Sequence, residues 1–172
     1  TITSGDFDGD GFMDLVSSDN QNGQLHFFRN KMIHFDPSYA PPETISDTID
    51  HPESIQITDI NGDGLPDVVA VSSDDNVVAW YENSGGVPTA YTYHNISTSG
   101  GSPVMVDTGD IDRDGKIDIL VCSGGEGKIQ WFRNNLPGAW ENHVVVESLK
   151  STTSAILGDF NNDDWFDVIV AR

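Results

Sequence analysis

The sequence predicts an all-β protein made of repeated four-stranded antiparallel sheets, and two observations carry this prediction. The first is an acid-rich run of nine residues that recurs four times, beginning at residues 6, 59, 110 and 159, with spacings of 53, 51 and 49. The second is a short apolar run, rich in β-branched residues, that follows each copy at 15–16, 68–71, 119–121 and 168–170. A period near 50 residues is typical of repeat architectures, and such apolar runs are typical of buried strands.

The acid-rich runs have the composition of cation-binding loops. We name them loop 1 (residues 6–14), loop 2 (59–67), loop 3 (110–118) and loop 4 (159–167), and number their positions 1 to 9. Positions 1, 3, 5 and 9 are Asp or Asn throughout. With a backbone carbonyl at position 7, these side chains offer the oxygen-only shell that suits Ca²⁺. The alternative is a solvated acidic turn, since Asp, Asn and Gly are common turn residues, but four copies in register favour calcium.

The residues after the loops exclude an EF-hand. That motif needs a bidentate Glu at position 12 and a helix on each side. Position 12 here holds residues that cannot bind the ion, namely Ser17, Ala70, Val121 and Val170. Because a strand-like apolar run follows each loop, we expect each loop to join two β-strands.

The remainder of each repeat predicts further strands. An aromatic motif ending in Asn begins thirteen residues after position 9, at 27–30, 80–83 and 131–134. Aliphatic residues precede it at alternate positions, which places both on one face of a strand. Strands are also predicted at 43–45, 91–96 and 142–146, and before the next loop at 54–57, 104–106 and 154–157. One repeat therefore contains four strands.

This arrangement predicts a β-propeller. Blade 1 spans about 1–50, blade 2 about 51–100, blade 3 about 101–150, and a partial blade 4 about 151–172. A solenoid would show a shorter period, and a sandwich would not repeat its loop. Three and a half blades cannot close a ring, so we expect a piece of a longer chain, completed by further blades or by another copy. The chain also opens on Thr1 instead of Met.

The combination of loop, valine-rich strand and aromatic motif resembles the FG-GAP/VCBS family, whose calcium-loop propeller repeats also occur in integrin α-subunits and some fungal lectins. The resemblance covers essentially the whole chain and implies up to four structural Ca²⁺ ions. The side-chain ligands it implies are Asp6, Asp8, Asp10, Asp14, Asp59, Asn61, Asp63, Asp67, Asp110, Asp112, Asp114, Asp118, Asp159, Asn161, Asp163 and Asp167. The implied backbone-carbonyl ligands are Phe12, Leu65, Lys116 and Trp165.

Two loops depart from the family pattern. In loop 4, Asp164 replaces the glycine at position 6. An Asp there must adopt a positive φ at some cost, so we expect weaker binding. In loop 3, Arg113 and Lys116 add positive charge, which we expect to cost modest affinity.

Composition and motifs limit the classes of binding partner and the cellular compartment that the sequence is compatible with. The formal net charge is −20 with only eight Lys and Arg, which argues against nucleic acid and anionic membranes. No apolar run approaches the roughly 20 residues that membrane insertion requires. The calcium loops predict an extracellular protein, secreted or on the cell surface. Asn95 begins the only glycosylation sequon, and the lone Cys122 is predicted to be a small buried apolar residue.

Three functions remain open. The first is a non-enzymatic module for adhesion, protein–protein contact or structural assembly, with a protein or glycan partner at the cell surface or matrix. The second is a lectin-like propeller that binds glycans through aromatics near turns: Tyr39, Tyr91 and Trp140. The third is an accessory propeller of a secreted polysaccharide-degrading enzyme.

Two features argue against catalysis by this segment. The acid pairs outside the loops, Asp47 with Asp50 and Asp74 with Asp75, have the character of solvated turns. His94 and His143 occupy equivalent repeat positions, which favours packing or hydrogen bonding at blade edges.

Overall fold

The computed structural model describes residues 1–31, 39–85, 90–98, 101–149 and 151–172. These residues form fourteen strands and no helix. The strands are β1 (Ile2–Gly5), β2 (Asp14–Asp19), β3 (Gln24–Phe28), β4 (Glu43–Ser46), β5 (Pro52–Thr58), β6 (Asp67–Ser72), β7 (Val77–Asn83), β8 (Tyr91–Ser97), β9 (Pro103–Gly109), β10 (Asp118–Ser123), β11 (Lys128–Arg133), β12 (Glu141–Val146), β13 (Ser154–Gly158) and β14 (Asp167–Ala171). None of the described residues belongs to a helix with the length and apolarity that crossing a bilayer requires.

The strands form four sheets in chain order. Strands β1 to β4, β5 to β8 and β9 to β12 make three four-stranded antiparallel sheets, and β13 pairs with β14. The all-β prediction is confirmed, as is each predicted strand. Because hairpins alternate between the two ends of a sheet, the four acidic loops lie at corresponding ends of the four sheets.

The second strands are buried on both faces, which explains their uninterrupted apolar sequences. Every residue of β6 and β10 is buried. Successive side chains of a strand point to opposite faces. Val68 therefore packs with the first sheet, whereas Val69 packs with the third. Each middle sheet thus contributes to two hydrophobic clusters.

Three such clusters fill the spaces between successive sheets. Phe7, Phe27 and Tyr81 belong to the cluster between the first and second sheets, where the Phe7 and Phe27 rings meet edge to face at 5.4 Å. The cluster between the third and fourth sheets contains Leu120 and Cys122. The Cys122 thiol is free and buried, as predicted.

Successive sheets approach each other most closely at their first strands. Val106 N of β9 donates to Ser54 Oγ of β5 at 3.4 Å, and Leu157 N of β13 donates to Asp107 Oδ2 of β9 at 2.8 Å. Sheets that meet along their first strands and pack face to face have the geometry of propeller blades. The described residues therefore form a partial β-propeller, whose two-stranded fourth sheet exposes Ile156 on its outer face.

Candidate metal centre

The carboxylate at position 1 organises the interior of every loop. Its Oδ2 accepts a hydrogen bond from the amide at position 6, and its Oδ1 accepts one from the amide at position 5. The position-6 distances are 2.9 Å to Asp6, 2.8 Å to Asp59, 3.0 Å to Asp110 and 2.8 Å to Asp159. The position-5 distances are 3.1, 3.1, 3.0 and 3.0 Å in the same order. The chain is thereby wrapped around one carboxylate.

Positions 3 and 5 make consecutive side-chain turns of the same kind. The position-3 Oδ1 accepts from the position-5 amide at 3.2, 3.0, 3.2 and 2.9 Å in loops 1 to 4. The position-5 Oδ1 accepts from the position-7 amide at 2.9, 2.8, 3.0 and 2.9 Å. These bonds fix the side chains that the sequence predicts to be ligands.

The predicted ligands converge in the two loops that have Asp at all four ligand positions. In loop 1, one carboxylate oxygen from each of Asp6, Asp8 and Asp10 lies within 4.8 Å of the others. In loop 3 the converging group is Asp110, Asp112 and Asp118. Carboxylates accept several bonds each, so oxygens already bound by amides keep lone pairs for an ion. This donor set fits Ca²⁺.

The aspartate at position 9 is fully buried in loops 1 to 3 and is held by two backbone amides. The Oδ2 of Asp67 accepts from Ile60 N at 3.0 Å, and its Oδ1 accepts from Asn83 N at 2.8 Å. Burial raises the pKa of Asp67 to about 6, although these two amide bonds act in the opposite direction. Burial also raises the pKa of Asp14 and of Asp118. A bound cation would favour the charged form of these side chains.

Position 6 requires a left-handed backbone. Gly115 has φ of 85°, and a Cβ added there would meet no atom within 4 Å. The constraint is therefore conformational rather than steric. Asp164 adopts φ of 66° at the equivalent place, as expected from the sequence. Position 4 is left-handed too, with φ of 63° at Arg113 and 62° at Asn162. This second left-handed position is not among the features predicted from the sequence, although Gly at position 4 of loops 1 and 2 is its signal.

Comparison with known families agrees with this repeat geometry. A family model described as FG-GAP-like repeat matches residues 6–70, 59–121 and 110–170. The chain belongs to the FG-GAP-like repeat family. Each match begins at position 1 of one loop and ends in the strand that follows the next loop. The family resemblance drawn from the sequence is confirmed. A search among curated proteins found no match.

In this FG-GAP-like chain, the asparagine that ends the aromatic motif joins neighbouring blades. Asn134 Nδ2 donates to Ile117 O in loop 3, the loop of its own blade, at 3.0 Å and to Ile60 O in loop 2 at 2.9 Å. Asn83 does the same with Pro66 O and with Phe7 O of loop 1. Both side chains are fully buried. Sequence reasoning took this Asn as the end of a strand and did not foresee the contact between blades.

The charged residue before that asparagine contacts position 3 of the loop. Arg29 lies 3.1 Å from Asp8, and Arg133 lies 2.5 Å from Asp112.

The two basic residues that were predicted to add positive charge to loop 3 contact other groups. Lys116 Nζ donates to Leu136 O at 3.0 Å. The guanidinium of Arg113 lies 4.3 Å from the centre of the Trp165 ring.

The aromatics considered for glycan binding differ in exposure. Tyr91 packs against the first hydrophobic cluster and Trp140 against the second. Burial raises the pKa of the Tyr91 hydroxyl. Tyr39 is 42% exposed.

The predicted glycosylation residue, Asn95, is exposed on β8, and its Nδ2 donates to the Tyr93 hydroxyl at 3.1 Å.

The two histidines at equivalent repeat positions pack against aromatic rings, as predicted. His94 stacks on Trp80 with centroids 4.3 Å apart, and His143 stacks on Trp131 at 4.6 Å.

A further His–carboxylate group lies outside the loops. His51 Nδ1 lies 3.0 Å from Asp50 and 2.9 Å from Asp74. The sequence predicts solvated turns for these acids, and all three side chains are substantially exposed.

Proposed function

We propose that this chain is a calcium-stabilised, non-enzymatic β-propeller module that acts outside the cell in adhesion, protein–protein contact or structural assembly. The observation that carries the proposal is the shared hydrogen-bond pattern of the four loops. It holds the position-1 carboxylate in the same way in each loop, and in loops 1 and 3 three carboxylate oxygens lie within 4.8 Å of one another, as hard donors for one ion. Each ion is structural, because it would join the first two strands of its sheet.

Bound calcium would also offset the free-energy cost of burying carboxylates at the loops. Position 9 places a carboxylate at 0% exposure beside other carboxylates, and burial without a cation disfavours its charged form. An ion of charge +2 would offset that cost in loops 1 to 3, where the position-9 side chain is fully buried. We expect loop 4 to bind most weakly, because Asp164 takes the left-handed conformation that glycine adopts elsewhere.

The extracellular assignment rests on calcium supply. Weak calcium loops are filled at the millimolar concentrations found outside cells. Asn95, exposed on β8, is the candidate glycosylation site in a secretory pathway.

The exposed face of the fourth sheet supports completion by further blades of the same chain or by another copy. Ile156 and Ile169, which are paired across β13 and β14, are 40% and 48% exposed. Trp165 and Phe166 in loop 4 are 52% and 42% exposed. An apolar face beside an open strand edge is a surface that proteins normally cover. The functional partner would be a protein or glycan at the cell surface or matrix.

Calorimetric titration tests the metal assignment. We expect the EDTA-treated chain to bind Ca²⁺ with one ion per occupied loop. Asp63→Ala removes a loop ligand, whereas Asp47→Ala removes the same charge from an exposed turn. The first variant should bind one ion fewer, and the second should match the parent. Equal stoichiometry in both variants, or no heat of binding in the parent, would refute the proposal.

The glycan-binding alternative is second because two of its three aromatics pack in the hydrophobic clusters, which leaves Tyr39. A glycan array probed with and without Ca²⁺ separates lectin from scaffold. The accessory-enzyme alternative predicts binding to polysaccharide without turnover by this segment.

A further inference from the structure

A side chain from the aromatic motif contacts position 3 of each of the first three loops, always 21 residues further along the chain. The pairs are Asp8 with Arg29, Asn61 with Glu82, and Asp112 with Arg133. Where position 3 is Asp the partner is Arg, and where it is Asn the partner is Glu. The partner thus changes its hydrogen-bonding character together with the loop residue.

The position-3 side chain divides its two polar atoms between different tasks. Its Oδ1 accepts the amide of position 5, inside the loop. Its other atom faces the partner. In Asp112 this atom is Oδ2, which accepts from Arg133 Nε at 2.5 Å. In Asn61 it is Nδ2, which donates to Glu82 Oε1 at 3.1 Å and also to Asp63 Oδ2 of its own loop at 3.0 Å. A donor meets an acceptor in both cases.

Charge balance does not explain the pairing. Loops 1 and 3 each combine four ligand carboxylates with an arginine, whereas loop 2 combines three with a glutamate. Loop 2 with its partner is therefore more negative than the other two. What the three pairs share is hydrogen-bond complementarity.

The partners are themselves held in place. Glu82 Oε2 lies 2.7 Å from His94 Nε2, and His94 stacks on Trp80 of the aromatic motif. The Arg29 guanidinium lies 5.8 Å from the centre of the Phe27 ring in the same motif. Arg133 Nη2 also donates to Asp114 Oδ2 at 3.1 Å, and so contacts two loop positions. A fixed partner gives the position-3 side chain a second anchor, in addition to the position-5 amide bound by its Oδ1.

We infer that Arg29, Glu82 and Arg133 are positioning residues, which hold the position-3 oxygen toward the bound ion through a matched hydrogen bond. This inference rests on the proposed calcium function and adds the residues that set the affinity of each loop. Groups that orient metal ligands commonly change metal affinity by about 10- to 100-fold when they are removed.

The test compares Gln with Met at the partner position. Glu82→Gln keeps an acceptor, and Arg133→Gln keeps a donor. Glu82→Met and Arg133→Met make the same changes in formal charge but remove the hydrogen bond. If charge alone matters, the Gln and Met variants at one position will bind Ca²⁺ equally. If positioning matters, the Met variants will bind more weakly.

The position-6 glycine amides report each loop separately. Gly11, Gly64 and Gly115 each donate to the position-1 carboxylate of their own loop. In a Ca²⁺ titration of the ¹⁵N-labelled chain, we expect the Gly64 midpoint of Glu82→Met to lie about tenfold above that of Glu82→Gln. Gly115 should separate the two Arg133 variants similarly. Gly11 is the internal control and should keep one midpoint in all four variants.

The outcomes distinguish this inference from the function on which it rests. Gln and Met variants with equal midpoints in both loops would overturn the positioning role and leave calcium binding intact. Glycine signals that do not respond to Ca²⁺ in the parent chain would overturn the proposed function and the inference with it. The second pair, at Arg133, keeps the test decisive if a Glu82 variant fails to fold.

Discussion

Asn134 shows how one buried side chain connects two blades. Its amide group donates to a carbonyl in each of two loops, while its Oδ1 accepts from Leu136 N at 3.0 Å. Every polar atom of this side chain is therefore satisfied away from water. Removing a partner from buried carbonyls is costly, because they then lack both water and protein donors.

We predict that Asn134→Ala lowers the free energy of unfolding by about 2–3 kcal/mol. Asn135→Ala is the matched control, because the hydrogen bond that its side chain makes within the described part of the chain is long, at 3.4 Å to Glu141, and lies at the exposed surface. The control should change stability by less than about 0.5 kcal/mol. Urea denaturation of both variants measures the difference, and equal stabilities would contradict the role given to Asn134.

The buried Asp67 predicts a pH dependence in the calcium-free chain. Its folded-state pKa is raised from 3.8 to about 6. The folded state therefore binds a proton more readily than the unfolded state, and stability is lost as pH rises from about 4 through 6. The shift corresponds to a contribution on the order of 3 kcal/mol.

Urea denaturation in EDTA across this pH window checks the sign. The parent should be more stable at pH 4.5 than at pH 7 in EDTA. With saturating Ca²⁺ the trend should reverse, because protons then compete with the ion. A calcium-free chain that gains stability on going from pH 4.5 to pH 7 would contradict the assigned direction.

At the scale of the element, each loop is a nine-residue turn with two left-handed positions. Sequence reasoning located the loops, the Asp and Asn side chains that they bring together and the left-handed Asp164, because these follow from residue identity within one segment. It missed the Arg29, Glu82 and Arg133 contacts. A pairing over 21 residues becomes visible only when β3, β7 and β11 are placed beside the loops.

Asp164→Gly should stabilise loop 4 by about 0.5–1 kcal/mol, because glycine adopts the left-handed region without a Cβ penalty. Asp164→Asn makes the same charge change but keeps the Cβ. We expect the Gly variant to unfold at higher urea concentration than the Asn variant, both measured in saturating Ca²⁺. An Asn variant as stable as the Gly variant would show that charge, and not backbone conformation, limits this loop.

For the molecule as a whole, the fold could be predicted from the sequence because each blade repeats one pattern of burial. The apolar runs of β6 and β10 are buried on both faces since sheets pack on either side of them. The contacts between blades through Asn83 and Asn134 could not be predicted from the sequence, because they join residues more than 70 positions apart. Periodicity identifies a blade, but it does not show how one blade meets the next.

Under the proposed function, calcium is part of the folded structure. Each ion would bind a loop that joins the first two strands of a sheet, and the buried asparagines connect loop 1 to loop 2 and loop 2 to loop 3. Binding to the folded state alone stabilises it in proportion to the logarithm of ligand concentration, site by site. Emptying the loops should therefore weaken the whole molecule.

Thermal unfolding followed by circular dichroism, with the chain in millimolar Ca²⁺ and then in excess EDTA, tests this claim most directly. We predict that chelation lowers the melting temperature by about 10 °C, with a smaller effect in Asp63→Ala, which has one fewer site to empty. Melting curves that superimpose in Ca²⁺ and EDTA would contradict the account.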